Sequence, residues 1–476
     1  METTANKFPQ AATIALGNIA VRGAVERSTR YVTDRVSQMR EEMPHYAALR
    51  QQGRGAKLRA LQQLPAMLEQ FEARLSANGG HTHWARDAAE ANQLILEICR
   101  ANHLKRGVKS KSMATEEIEL VPFLEGHGIE IIETDLGEFI VQISGDRPSH
   151  IVMPVMHRPQ EEILNIFREK LGMEARAETT AEEMTAFARQ YLREKFLSAD
   201  FGMSGGNFLI AETGSLVIIT NEGNGRLSTS LPDVHIAVVG IEKIIPTWRD
   251  FATLVQLLAM SGAGQTLTVY VNIINGPKAE SDEDGPSQFH LILLDNGRSQ
   301  IYASEYREAL ACLRCGACLN VCPVYRNVGG HAYGSVYSGP IGSVVTPGLA
   351  GKEAAQYLPF ASSLCGACQQ ACPVDIHIPD MLLRLRRDLQ SAQPTHWRLG
   401  MKGWAFANRH PLLFHAGGQL AERVTRRQAR RAGALKQLPP PFDRWTEQRD
   451  FPPFAPQSFR SWWQERSQKT DKVRKP

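Results

Sequence analysis

Apolar residues recur three and four places apart through the first hundred positions, in "AVERSTRYVTDRVSQMREEM" and again in "GAKLRALQQLPAMLEQFEARL". That spacing puts them on one face of a helix. The stretch "SANGGH", Ser76 to His81, breaks the second of these helices. Residues 1–105 therefore read as an N-terminal helical region.

The pattern changes from residue 106 to 300. Short runs rich in β-branched residues, "IEIIET", "EFIVQI", "FLIAET", "SLVIIT", "HIAVVGI" and "TLTVYVNII", predict strands. Helical stretches such as "AEEMTAFARQYLREKFLSA" lie between some of them, and the mixture predicts an α/β domain. "HIAVVGI" is nearly all apolar, as a strand covered on both faces must be.

Residues 301–390 carry two cysteine motifs. The Gly-rich stretch between them, "NVGGHAYGSVYSGPIGSVVTPG", is expected to form little regular structure, whereas "DMLLRLRRDLQ" after it predicts a helix. Residues 391–476 form a basic region rich in proline and aromatics. Within it "QLPPPFDRWTEQRDFPPFAPQSFRSWWQ" is expected to lie extended on another surface, or to order on binding. Beyond the cysteine motifs no internal repeat is visible.

The length of 476 residues suggests roughly three domains. No apolar run approaches the roughly 18 residues of a membrane span. "METTANKFPQAATIALGNIA" lacks the layout of a secretory signal, so a cytoplasmic location is expected. Net charge is +4, but Asp380 to Pro476 holds 20 Lys and Arg against 8 Asp and Glu, a net of +12 that leaves −8 on the rest. The run "RVTRRQARRAGALK" suits either an anionic partner or a solvated helix face. No nucleic-acid motif accompanies it.

"CLRCGACLNVCP", Cys312 to Pro323, and "SSLCGACQQACP", Ser362 to Pro373, are near copies. Of eight cysteines only Cys99 lies outside Cys312–Cys372; it sits in an apolar helical run and is expected to be buried and inert. A disulfide framework would spread its cysteines, whereas this clustering suits a metal site in a reducing compartment. Cys312, Cys315, Cys318 and Cys322-Pro323 complete the C-x2-C-x2-C-x3-C-P run of bacterial [4Fe–4S] ferredoxins.

Three cysteines so spaced cap three irons of a cubane, and the fourth, turned away at its proline, ligates the other cluster of a pair. Cluster one then takes Cys312, Cys315, Cys318 and Cys372, and cluster two takes Cys322, Cys365 and Cys368. Ser362 stands where an eighth motif cysteine would. The second centre is either a [4Fe–4S] cluster whose fourth iron takes water, hydroxide, Ser362 Oγ or a partner's ligand, or a [3Fe–4S] centre. A four-cysteine zinc site is the main rival, but zinc does not readily use seven cysteines with two trailing Cys-Pro pairs.

In the middle region, "VKSKSM" and "SGGNFLIAETGSLVI" leave two readings open. Gly205, Gly206, Lys109 and Lys111 cradle an anion, or they form turns and strand starts. Neither segment matches a Walker P-loop or a Rossmann fingerprint.

Together "VKSKSM", "ETDLGEFIVQ", "PSHIVMPVMH", "IAETGSLVI", "LPDVHIAVVG" and "CLRCGACLNVCPVYRNVGGHAYGSVYSGPIGS" resemble the lactate utilization protein B family over nearly the whole chain. The three-cysteine second motif is similar to that family's. The resemblance implies an α/β LUD domain like the NagB/RpiA/CoA-transferase class, preceded by a helical region and followed by a mainly helical ferredoxin-type module with two [4Fe–4S] clusters, the second possessing three cysteine ligands. It implies an electron-transfer subunit of a system oxidising L-lactate to pyruvate in support of growth on lactate. The implied partners are a cysteine-rich-domain oxidoreductase subunit and a second LUD protein. It assigns no catalytic residue.

Two rival functions remain at this level. The chain itself binds and oxidises lactate, at an open cluster iron or in the LUD crevice, or it is an iron–sulfur regulatory sensor.

Overall fold

The computed structural model describes residues 3–473 except 175, 177, 393–394, 430–432, 441 and 448. The chain divides into two compact units, residues 1–389 and 390–476.

The first unit is built on ten strands: β1 (His81–Ala85), β2 (Arg106–Lys109), β3 (Glu130–Glu133), β4 (Phe201–Ser204), β5 (Phe208–Ile210), β6 (Ser215–Thr220), β7 (Val234–Gly240), β8 (Ile244–Ile245), β9 (Tyr270–Ile274) and β10 (Gln288–Leu294). Six form a wholly parallel sheet in the order β1-β10-β7-β4-β2-β3. The other four form a mixed sheet, β8-β5-β6-β9.

β7 and β10 show why the parallel sheet sits at the centre. Ile236, Val238 and Ile292 pack on one face with Ile95, Leu96 and Phe201, while Val239, Leu291 and Leu293 pack on the other with Phe71 and Leu75. The period of two is preserved, but both faces are covered, so the run reads as continuously apolar. From β2 the chain steps outward to β3 and then returns to β4 on the other side of β2. The sheet thus changes direction between β2 and β4, and a crevice opens where such a reversal occurs.

Several elements differ from the sequence expectation. "EFIVQI" lies in the helix Leu136–Ser144, not a strand; Asp135 Oδ1 accepts from Glu138 N at 3.1 Å at its start, and Gly145 ends it at φ 66°. A short apolar run has no period that separates strand from helix, and here the cap decides. Within the stretch read as helical, residues 81–85 form β1 and join the parallel sheet beside β10. The Gly-rich stretch contains a 12-residue helix, Gly339–Ala350. Its glycines let it approach neighbours: a Cβ at Gly342 would lie 1.9 Å from Tyr337 O, and one at Gly348 2.4 Å from Ile301. Burial overrides the weak helix propensity of such a segment.

The second unit contains the helices Thr395–Arg409, Pro411–Ala429 and Phe459–Val473. "SFRSWWQ" therefore falls largely within a helix instead of an extended strap. Among the described residues no helix is long and apolar enough to cross a membrane.

Candidate metal centre and the adjoining crevice

The two cysteine loops repeat one backbone. Arg314 and Leu364 adopt φ 60° and 56°, and Gly316 and Gly366 adopt 78° and 82°. Each loop enters a short helix, Ala317–Asn320 or Ala367–Ala371. Cys312 Sγ accepts from Arg314 N at 3.3 Å, and Ser362 Oγ accepts from Leu364 N at 3.1 Å. The serine makes the same turn as the cysteine it replaces.

The loops bring four of the cysteines into one cavity and leave the other three close enough to feel one another's charge. Cys312, Cys315, Cys318 and Cys372 line one cavity walled by Leu313, Ile341, Val374 and Ile376. Burial pushes the Cys315 thiol up to about 12, with Cys312 and Cys372 adding to it. Burial likewise pushes Cys372 up to about 12, and Cys312 adds to that. Cys318 is raised by burial and then by Cys312 and Cys315.

The second group is Cys322, Cys365 and Cys368. Burial raises Cys322, with Cys365 contributing, and pushes Cys368 up to about 11, with Cys322 contributing. Cys365 is exposed, and the Ala367 amide and the Ser363 hydroxyl hold its thiol below the ordinary value.

The donor set fits iron–sulfur clusters. Buried thiols this reluctant to ionise become thiolates only against bound cations. Buried donors without partners lie nearby: Tyr46 Oη, Tyr333 Oη, Arg314 Nε and Arg314 Nη1. Tyr46 lies close enough to Cys315 and Cys372 to feel their charge, Tyr333 to Cys322 and Cys318, and Arg314 to Cys312. An unpaired buried donor costs about 1–3 kcal/mol, and cluster sulfurs are the acceptors that such donors lack here.

The N-terminal helices fasten this site. Arg50 donates from Nε to Cys372 O at 2.8 Å and from Nη2 to Gln369 O at 2.7 Å, and pairs with Asp375 at 2.7 Å. Arg40 Nη2 donates to Ala371 O at 2.8 Å, and Arg54 bonds Asp375 O. Nothing local in the sequence marks these arginines, because their partners lie more than 300 residues away.

Two buried contacts join the α/β domain to the cysteine loops. His150 Nδ1 accepts from Val152 N and Met153 N at 3.0 and 3.1 Å, which leaves Nε2–H to donate to Asn320 Oδ1 at 3.1 Å. Burial holds this imidazole down to about 3, so it is neutral. Arg298, which opens the short helix Arg298–Tyr302 after β10, grips Glu117 with Nη1 and Nη2 at 2.8 and 2.7 Å and Glu242 with Nε at 2.6 Å. Tyr337 Oη donates to Glu117 at 2.5 Å.

A crevice of about 380 Å³ opens beyond the carboxyl ends of β2, β4 and β7, lined in part by Lys111, Gly205, Gly206, Lys243, Arg314 and Cys315. Of the anion cradle read from sequence, Lys111, Gly205 and Gly206 line it, but Lys109 does not. Lys109 is fully buried and spends its charge on Glu133, at 2.7 Å. "AETG" is the turn between β5 and β6, where Gly214 adopts φ 70° and a Cβ would lie 2.5 Å from Leu75 N. Lys243 and Arg314 were not singled out as crevice residues by any sequence motif.

A parallel α/β domain joined to a two-motif cysteine domain defines an iron–sulfur protein of ferredoxin type. Residues 68–294 match the LUD domain family, 308–376 the 4Fe-4S dicluster domain, and 386–468 the C-terminal domain of lactate utilisation protein B. The lactate utilization protein B of Macrococcus caseolyticus is 43% identical over 96% of this chain and 97% of its own. That of Shouchella clausii is 47% identical over 84% of each. The chain belongs to the lactate utilization protein B family. Among solved structures, a DUF162 family protein from Deinococcus radiodurans matches 48% of this chain and 98% of its own at 16% identity and a TM-score of 0.29, too loose a likeness to carry fold detail.

Proposed function

We propose that this chain is the iron–sulfur electron-transfer component of a cytoplasmic system that oxidises L-lactate to pyruvate and supports growth on lactate. The observation that carries the reading is the cavity that Cys312, Cys315 and Cys318 of the first motif share with Cys372 of the second. The relatives' name supplies lactate. The proposed complement is two [4Fe–4S] clusters, one on Cys312, Cys315, Cys318 and Cys372, the other on Cys322, Cys365 and Cys368. A reducing compartment suits that many thiolate ligands.

When bound, such clusters accept and donate single electrons. The chain's own residues set the conditions. Leu313, Val374 and Ile376 give the four-cysteine group an apolar wall. Cys365, at the surface, marks the side from which a partner exchanges electrons. The partners are a cysteine-rich-domain oxidoreductase subunit and a second LUD protein, which together house the chemistry that removes hydrogen from lactate. The kinship of the α/β domain with the NagB/RpiA/CoA-transferase class is part of the same proposal, and its parallel sheet with a crevice at the strand ends supports it.

The test is an anaerobic mixture of this chain, the two companions and L-lactate. Electron paramagnetic resonance should show this chain's clusters becoming reduced only when all components are present. Pyruvate formation with the clusters left oxidised throughout would overturn the reading.

A further inference from the structure

The crevice beyond β2 and β4 lies at the reversal of the sheet, where open parallel sheets bind ligands. Its volume of about 380 Å³ falls within the range of small-molecule sites. Lys243 lines it and, among the described residues, makes no hydrogen bond or ion pair, though it feels the charge of Glu242. Burial holds its ammonium down to about 8 against the raising influence of Glu242. Lys243 is half-buried in the crevice, and a lysine ammonium without a protein partner there is free to pair with an anionic ligand.

The floor is made for close approach. A Cβ at Gly205 would lie 2.8 Å from Ser112 Oγ, and one at Gly206 2.5 Å from Leu216. Among the described residues neither glycine's amide donates a backbone hydrogen bond. Two successive free amides can serve an anion.

The polarity of the crevice narrows the class of ligand. Lys243, Arg314 and Cys315 lie toward the four-cysteine group, since Lys243 feels the charges of both Arg314 and Cys312. Asp135 and Glu222 line the crevice near Lys111, and burial with Asp135 pushes Glu222 up to about 7. A dianion would meet these carboxylates. A molecule with one carboxylate and an adjacent hydroxyl or carbonyl fits both ends.

We propose that this crevice binds a small 2-hydroxy- or 2-oxo-carboxylate, with its carboxylate at Lys243, against the Cys315 wall of the four-cysteine group. The choice within that class rests on the lactate reading above; the site itself rests on the crevice.

The test uses anaerobically purified, cluster-loaded full-length protein. Calorimetric titration with L-lactate and with pyruvate should show saturable binding, and acetate and inorganic phosphate should bind at least about tenfold more weakly. Saturating ligand should shift the resonance signal of the four-cysteine cluster. Lys243→Gln should weaken binding at least about tenfold with iron content retained, and Lys243→Arg should recover part of it. Should Lys243→Gln fail to load iron, hydrogen exchange on the wild-type protein decides: ligand should protect residues 110–113 and 205–207.

Unchanged affinity in Lys243→Gln, no protection of those segments, or phosphate binding as tightly as the carboxylates would overturn the proposal. Absence of binding in a protein whose clusters are still reduced by lactate through the companions would remove this site and leave the electron-transfer function standing.

Discussion

The amide of Leu364 donates to Ser362 Oγ at 3.1 Å, as the amide of Arg314 donates to Cys312 Sγ at 3.3 Å. Ser362 thus occupies the place of a ligand in a loop whose backbone matches that of the four-cysteine motif. A serine oxygen is a harder donor than a thiolate and suits iron–sulfur iron less well. On mild oxidation, the three-cysteine cluster should therefore lose an iron first, seen as a growing three-iron resonance. Ser362→Cys should suppress that signal. Earlier loss of the four-cysteine cluster would contradict the ligand assignment.

Cys372 lies in the second motif but shares its cavity with Cys312, Cys315 and Cys318. Cys372→Ser should therefore perturb the cluster of the first motif, whereas Cys365→Ser should perturb the other. Resonance spectra of the two variants provide the check, and identical perturbations would refute crossed ligation.

Tyr46 Oη is buried without a partner beside Cys315 and Cys372. A hydrogen bond to cluster sulfur raises the reduction potential. Tyr46→Phe should lower the midpoint potential of the four-cysteine cluster by roughly tens of millivolts at unchanged iron content. An unaltered potential in a redox titration would mean that this hydroxyl does not serve the cluster.

These assignments show what was legible in the chain. The iron–sulfur domain was legible because three cysteines of each motif fall within one short loop, and β7 was legible because burial on both faces leaves a purely apolar run. β1 was not, since "HTHWA" at a sheet edge is short and mostly polar. The helix at Gly339 was hidden because its stability comes from packing and not from propensity. Arg50, Tyr46 and Lys243 act across hundreds of residues or through burial, which no local pattern encodes.

The Arg298 network should govern acid stability. Burial alone would raise the Glu242 carboxyl, but Arg298 and Lys243 hold it down to about 2. A carboxylate so depressed contributes stability that is complete above its unfolded value near 4.5 and is lost as pH falls through about 2. His150, held down to about 3 by burial, adds loss from about 6.5 downward because the unfolded state binds the proton more readily. Glu242→Gln should cost about 3–5 kcal/mol at neutral pH by leaving Arg298 underpaired and should flatten the lower part of the acid curve. Denaturant titrations across pH measure both effects, and an unchanged stability at pH 7 would contradict the role given to this pair.

Trp445, Phe454, Phe459 and Trp463 are exposed at the end of a basic unit. Removing the chain from Pro439 onward should weaken assembly with the companion proteins and leave iron content intact. The loss should grow with ionic strength if the surviving contacts are charged. Sedimentation of the mixed proteins at physiological salt reads the outcome, and unchanged assembly would place the docking surface elsewhere.

Metal and acid-labile sulfide analysis of anaerobically purified protein decides whether this chain holds two iron–sulfur clusters. About seven to eight irons per chain with a similar number of sulfides are expected, the sum of one cubane and a three- or four-iron second centre. Stoichiometric zinc with no acid-labile sulfide would contradict it.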